Sequence, residues 1–204
     1  MTDKNHFAGF SPASARNREP ISQALMTLLR GNETVLEVGS GTGQHAVYFT
    51  EQWPGLQWQP SDIAQQLPLL QANLDTHERH NIDQARLLNL QHAHWADSVM
   101  PVDLIYTANT LHIIAWSEVV SLFSQLEKVL RPQGRVIVYG PFRYAQEFTS
   151  TSNAEFDAWL KVRNPLSGLR DFEAVNALAL AAGLSLLHDI AMPANNQLLV
   201  WQKI

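Results

Sequence analysis

The stretch Val35-Leu36-Glu37-Val38-Gly39-Ser40-Gly41-Thr42-Gly43 is where residue type and spacing first suggest chemistry. A short apolar run ends in glycines at alternate positions, and glycine lets a backbone turn sharply and approach a ligand closely. The free N–H groups at the start of a following helix favour polar or negative ligand atoms. A nucleotide-type site is therefore expected. The spacing G-x-G-x-G is not the dinucleotide fingerprint, because Gln44 stands where a third glycine or alanine would be needed, and no G-K-[ST] makes a phosphate-binding P-loop. NAD and ATP are disfavoured on that ground. Asp62 lies nineteen residues beyond Gly43, just past a second short strand pattern, where a carboxylate can accept hydrogen bonds from both hydroxyls of a ribose. The alternative is that it caps the helix that follows, and the two roles are compatible.

Strands and helices in alternation must position these residues, and that alternation predicts a parallel α/β sheet. Residues 14–29 read as a first helix, with Ile21, Leu25, Leu28 and Leu29 on one face and Gly31 as its stop. A strand over 34–38 feeds the glycine turn, and a helix over 44–52 ends before Pro54. Further strands are predicted at 56–59, 85–90, 102–107 and 135–139, with a helix carrying Pro68 near its start and another over 117–130 with Val120, Phe123, Leu126 and Leu130 inward. Ser152 and Glu155 form a capping box that opens a helix through Phe156, Trp159 and Leu160. A helix from Asp171 stops at Gly183, and strands at 184–189 and 197–202 follow with no helix between them, so at least one runs antiparallel to its neighbours. The expected fold is a doubly wound, Rossmann-like, seven-stranded, mostly parallel sheet with an antiparallel terminal strand.

The chain has 204 residues, which suits a single domain over 1–204, with 1–30 as an N-terminal segment and helix that covers the ligand site. Cysteine is absent, which removes thiol nucleophiles, thiolate metal sites and disulfides. Fourteen Lys plus Arg against nineteen Asp plus Glu leave a net charge of −5 with no basic stripe, so no nucleic-acid partner is expected. No apolar run reaches the roughly 18 residues of a membrane helix, and the start has no apolar signal core. A soluble, cytoplasmic monomer or homodimer is expected. The pairs His77 with His80 and His92 with His94 lack a third ligand, so no metal is expected. Gly39-Ser40-Gly41 is not the G-x-S-x-G elbow of a serine hydrolase.

With Glu37 in VLEVGSGTG, Asp62 after the second strand and a helix-plus-hairpin end, the chain resembles class I S-adenosylmethionine-dependent methyltransferases. It is most similar to the little-characterised methyltransferase-like protein twenty-six family. That pattern runs in order through SPASARNREPI (11–21), LEVGSGTGQHAVYF (36–49), WQPSD (58–62), ANTLHIIAW (108–116), YGPF (139–142), SNAEFDAWL (152–160), NPLSGLRDFE (164–173) and MPANN (192–196). The resemblance implies that Gly39, Ser40, Gly41 and Gly43 line the methionine end of the cofactor, that Glu37 anchors their loop and that Asp62 holds the ribose. Asn89 stands where such enzymes often carry an acid that receives the adenine amino group; an amide oxygen accepts the same bond without charge. Arg16 and Asn17, in the polar stretch before the first helix matures, would fold over the cofactor, and Asn109 joins the cofactor residues.

Methyl donation from a sulfonium is an in-line displacement in which alignment and a dry pocket supply most of the acceleration. Ligands of open α/β sheets sit beyond the carboxyl ends of the strands, which brings 107–112 and 139–142 to the acceptor. His112 is the candidate base, with Tyr139 beside it as a second catalytic candidate; the alternative for His112 is packing between Leu111 and Ile113. The A-N-T-L sequence at Asn109 lacks the N-P-P-Y arrangement of many amino-group methyltransferases that act on DNA and protein, so a small-molecule acceptor is expected. The expected activity is S-adenosylmethionine-dependent methyl transfer, with a non-catalytic cofactor-binding module and a nicotinamide-dependent oxidoreductase as rivals. Arg163, Arg170, Asp171, Asn195 and Asn196 match the family pattern without a chemistry that follows from their types.

Overall fold

Ser11 starts the ordered architecture of the computed structural model, which describes residues 7–204. Its hydroxyl accepts from Ser14 N at 3.2 Å and Pro12 takes the first helical position, so α1 (Pro12–Leu25) begins two residues earlier than its apolar face predicts and stops four earlier. Arg16 and Asn17 therefore sit inside the helix, not ahead of it. The first six residues of the 1–30 segment lie outside the described residues. Next come β1 (Thr34–Val38), α2 (Gln44–Gln52), β2 (Gln57–Asp62), α3 (Leu67–His77), β3 (Arg86–Leu87) and β4 (Val102–Ala108). The chain continues through α4 (Trp116–Ser124), α5 (Leu126–Val129), β5 (Leu130–Gly140), β6 (Phe142–Tyr144), β7 (Glu147–Phe148), α6 (Thr151–Arg163), β8 (Arg170–Asp171), α7 (Phe172–Ala181), β9 (Leu184–Met192) and β10 (Asn196–Lys203).

Seven strands form one sheet in the order β3-β2-β1-β4-β5-β10-β9, which is the expected doubly wound, mostly parallel class. The chain winds outward from β1 through β2 to β3 and then reverses to β4 on the other side of β1, so the topological switch point lies at β1 and β4. The chain divides into two compact units. The first comprises the residues up to Asn89 together with Leu104–Tyr106, and it holds β1 parallel to β2 (Val35 opposite Trp58) and to β4 (Val35 opposite Leu104). β1 is buried along nearly its whole length, as a parallel strand covered on both faces must be. Phe49, Trp58 and Tyr106 are fully buried together, with ring centroids 5.5 to 5.8 Å apart.

The second unit comprises Leu90–Asp103 and Thr107–Ile204. There β10 runs antiparallel to both β5 and β9, which supplies the antiparallel terminal strand. Its core joins Val136, Ile137 and Val138 to Leu198, Leu199, Val200 and Trp201, and Phe123 meets Trp201 edge-on at 5.9 Å. The predicted helix over 117–130 is broken at Gln125 into α4 and α5. Of its predicted inward residues Phe123, Leu126 and Leu130 are buried, while Val120 is exposed and Val119 and Leu122 are buried in its stead. Ser150, not Ser152, caps α6, its hydroxyl accepting from Asn153 N at 3.1 Å, so the predicted capping box is displaced by two residues. A second sheet of three short strands, β7-β6-β8, had no counterpart in the predicted elements.

Candidate functional site

The glycine turn leaves β1 with Gly39, Gly41 and Gly43 all in the left-handed region, at φ of 76°, 57° and 80°. Two of them need glycine for different reasons. A Cβ at Gly43 would lie 3.0 Å from Leu70 and 3.1 Å from Leu74, so this glycine lets the start of α2 close onto α3. A Cβ at Gly41 would meet nothing within 4 Å, so this glycine presents bare backbone to open space. The turn is tied to the end of β2: Gly39 N and Ser40 N both donate to Ser61 O at 3.0 Å, and Ser61 N donates to Ser40 Oγ at 3.0 Å.

Asp62 completes that tie. Its Oδ2 accepts from Gly41 N at 2.7 Å and its Oδ1 accepts from Ile63 N at 2.8 Å. The helix after it starts only at Leu67 with Gln66 as the cap residue, so Asp62 caps no helix and its carboxylate is aimed at the glycine turn. Partial burial pushes its pKa up, and the N–H groups of Gly41 and Ile63 pull it back down. A carboxylate offers about four lone-pair positions, of which these bonds take two. Glu37, 2% exposed, accepts from Trp58 Nε1 at 3.0 Å. Burial raises its pKa to about 7, opposed by hydrogen bonds from Trp58 and Ser40, while the charge of Asp62 adds to the rise. Asn89 is half-buried two residues beyond β3, in a segment whose Leu88 N donates to Asp62 O at 2.9 Å.

The N-terminal candidates fall elsewhere in this unit. Arg16 is exposed, and Asn17 is buried with its Oδ1 2.8 Å from His45 Nε2. The other ring nitrogen of His45 lies 3.3 Å from the Tyr106 hydroxyl, and burial, with a smaller push from Arg18, lowers the imidazole to about 4 against the pull of Ser14 O. Sequence reasoning missed two residues that govern the loop. Gln44 Oε1 accepts from Ser11 N at 2.6 Å and from Thr42 Oγ1 at 2.9 Å, and its Nε2 donates to Ser11 O at 3.2 Å. Asn73 Oδ1 accepts from Ala8 N at 2.9 Å while its Nδ2 donates to Ala8 O and Thr42 O at 3.0 and 2.9 Å. The two amides thus bind residues 8–11 to the glycine turn. The available signal was Gln44 itself, an amide in place of the fingerprint's third glycine.

In the second unit, Asn109 has a left-handed φ of 55° and donates its N–H to Tyr139 O at 2.8 Å. Two side chains flank Gly140 at ordinary van der Waals range: a Cβ there would lie 3.5 Å from His112 Nδ1 and 3.9 Å from Asn109 Oδ1. The structure therefore brings Asn109 and His112 together beside the backbone that follows Tyr139. His112 is 5% exposed and meets Phe156 edge-on at 5.4 Å. Burial lowers its imidazole to about 4, with Arg170 pushing the same way. Tyr139 is 5% exposed and lies in β5 opposite Leu198. Among the described residues no three histidine, aspartate or glutamate side chains are grouped to hold a metal ion. The motif at 192–196 is the β9–β10 turn, with Ala194 and Asn195 left-handed and Asn195 O accepting from Asn153 Nδ2 of α6 at 3.0 Å. Arg163 stacks over Trp159 at 4.0 Å.

Comparison with solved structures gives the same architecture throughout. An O-methyltransferase family protein from Burkholderia thailandensis matches at a TM-score of 0.78 and 17% identity over 94% of this chain and 57% of that one. An O-methyltransferase family 2 protein from Planctomyces limnophilus, in complex with apigenin, matches at 0.76 and 15% over 94% and 60%. Human N-acetylserotonin methyltransferase in complex with SAM matches at 0.74 and 16% over 94% and 52%. The chain thus has the class I methyltransferase fold, and it spans between about half and three-fifths of the length of these three proteins. A family described as "Protein of unknown function (DUF938)" matches residues 8–203, nearly the whole chain, and the protein belongs to that family.

Proposed function

We propose that the protein is an S-adenosylmethionine-dependent methyltransferase whose acceptor is a small molecule, and that it is akin to the methyltransferase-like protein twenty-six proteins. One observation carries this reading: the Asp62 carboxylate, at the carboxyl end of β2, holds Gly41 N of a glycine turn whose backbone opens to solvent after β1. A bare backbone cradle with a carboxylate at its rim fits the methionine end and the ribose of the cofactor. In this reading Gly39, Ser40, Gly41 and Gly43 form the cradle and Asp62 uses its two remaining lone-pair positions on the ribose hydroxyls. Asn89 accepts from the adenine amino group, and Glu37 anchors the turn through Trp58 and Ser40. When bound, S-adenosylmethionine supplies an electrophilic methyl group on a positively charged sulfur.

The acceptor side is assigned to the loops after β4 and β5. His112, held near 4, is neutral at physiological pH and a weak base there, so its part is to accept a hydrogen bond from an acceptor hydroxyl or amine and orient it. Asn109 offers an amide within the same cluster, and Tyr139 contributes the carbonyl that fixes the Asn109 backbone. Arg16, exposed on α1, is left to meet the carboxylate of the cofactor. A small acceptor agrees with the net charge of −5. The burial of His112 also favours a second reading, a cofactor-binding module without catalysis.

Two measurements test the reading. Calorimetric titration with S-adenosylhomocysteine should show binding that Asp62→Ala weakens at least tenfold, since hydrogen bonds to a charged group contribute about 1.5 to 3 kcal/mol each. Incubation with methyl-labelled S-adenosylmethionine and a low-mass metabolite extract should then place label in a new small molecule. Binding without label transfer selects the non-catalytic module, and no binding by the native protein overturns both readings.

A further inference from the structure

The segment 166–170 grips four consecutive carbonyls of the loop after β4. Arg170 Nε donates to Leu111 O at 2.9 Å, Gly168 N donates to His112 O at 2.9 Å, Ser167 Oγ donates to Ile113 O at 2.6 Å, and Arg170 Nη2 donates to Ile114 O. A loop with no strand or helix of its own thus has successive backbone acceptors satisfied by one neighbouring segment, and a guanidinium fork serves two of them. The segment is itself secured. Arg170 Nη2 also donates to Leu166 O at 3.0 Å, Leu169 N donates to Asp157 Oδ1 at 2.7 Å, and Lys161 Nζ bonds the other oxygen of Asp157 at 2.6 Å. β8 fixes its far end, with Arg170 opposite Phe142 and Arg143 paired to Asp171 at 2.6 Å. Asp157 is 4% exposed and Ser167 is 5% exposed, so the bond from Leu169 N to Asp157 is interior, while those of Arg170 and Ser167 are partly buried.

The loop so gripped carries His112, whose ring lies between Gly140 and Phe156, and it begins at Asn109. We infer that Arg170, with Ser167 beside it, is a positioning residue: it sets the backbone of 111–114 and thereby the place of the His112 imidazole against Asn109 and Gly140. The importance of this for methyl transfer rests on the reading of the preceding section; the positioning itself does not. A guanidinium suits this task because its Nε and Nη2 donors are held in one rigid planar fork, whereas an ammonium is a point donor on a flexible stem. The charge faces its own partners as well as the loop, since Asp157 of α6 favours it and Arg143 of β6 opposes it.

The test uses the full chain labelled with ¹³C and ¹⁵N at histidine, with the His112 ring signals identified by their loss in His112→Asn. In Arg170→Lys the His112 signals should shift and broaden, while those of His188, in β9 of the same unit, stay in place and report an intact fold. Ser167→Ala, which removes only the bond to Ile113 O, should move the same signals by a smaller amount, and it decides the matter if Arg170→Lys does not fold. Unmoved His112 signals in a folded Arg170→Lys, or in Ser167→Ala when that variant alone folds, overturn the proposal. On the same samples S-adenosylhomocysteine affinity should stay within twofold of native, while label transfer to the extract product falls at least tenfold in Arg170→Lys. Transfer at the native rate by a folded Arg170→Lys overturns the role in catalysis. If the native protein neither binds S-adenosylhomocysteine nor transfers label, the methyltransferase reading fails, and the His112 signals still decide the positioning.

Discussion

Glu37 carries the sharpest consequence of a single side chain. It is buried against Trp58 with its carboxyl raised from 4.5 to about 7, chiefly by burial. Between those values the folded protein holds more protons than the unfolded chain, so stability is present below pH 4.5 and is lost as pH rises through about 7. A rise of this size corresponds to about 3 kcal/mol at one pKa unit per roughly 1.4 kcal/mol. Glu37→Gln keeps an oxygen for Trp58 Nε1 and removes the charge. Its stability relative to native, measured by urea unfolding, should therefore improve by about 2 to 3 kcal/mol between pH 5 and pH 8. A difference that does not change with pH would remove the buried acid from the account. His45 and His112 have the opposite sign: lowered from 6.5 to about 4, each costs stability as pH falls through that window. Of the candidate residues, the glycines and Asp62 were legible because backbone freedom and a carboxylate after a strand are local signals. The burial of Glu37 and the grip of Asn17 on His45 were not, because they depend on what α1 and β2 bring from elsewhere in the chain.

Elements with periodic or punctuated sequence were legible, and those defined by partners were not. β1, α2, β4 and β10 follow from apolar runs and glycine or proline stops. β6 and β8 are three and two residues long, too short for any period, and are defined by their pairing, Phe142 and Arg143 with Arg170 and Asp171, and Arg143 and Tyr144 with Phe148 and Glu147. The motif residues at 164–173 had no readable chemistry for the same reason: their work is done on the carbonyls of another loop. Helix ends were legible only in part. The pattern Ser152-Asn153-Ala154-Glu155 satisfies the capping-box rule, yet the residue with extended geometry is Ser150, whose φ and ψ are −161° and 160°. This yields a direct test of which serine caps α6. Ser150→Ala should cost about 1 kcal/mol, the usual loss for an N-cap hydroxyl, and Ser152→Ala only a few tenths. Chemical denaturation of both variants checks it, and equal losses would return the cap to Ser152.

At the scale of the whole molecule the question is which nucleotide the chain stabilises its native state around. The fold alone does not choose, because open α/β sheets take both adenosyl sulfonium and nicotinamide ligands at the same switch point. The proposed choice rests on the residues. In the dinucleotide fingerprint the third glycine lets the helix pack closely on the strand, and here that position is Gln44, whose amide is committed to Ser11 and Thr42. A ligand bound only by the native state raises stability by about 2.7 kcal/mol at a hundred times its dissociation constant. For a chain of this length that corresponds to a rise of about 5 to 10 °C in the unfolding midpoint, at roughly 2 to 4 °C per kcal/mol. S-adenosylmethionine and S-adenosylhomocysteine should each give such a rise in a thermal scan, NAD at the same concentration none, and Asp62→Ala should cut it to about half or less. The variant separates a specific site from general ligand effects, because Asp62, at the end of β2, touches the glycine turn through Gly41 N and its loss leaves the core elsewhere unchanged. A rise with NAD that equals or exceeds the rise with S-adenosylhomocysteine would transfer the site to the nicotinamide class, and the methyl acceptor assigned to the loops after β4 and β5 would fall with it.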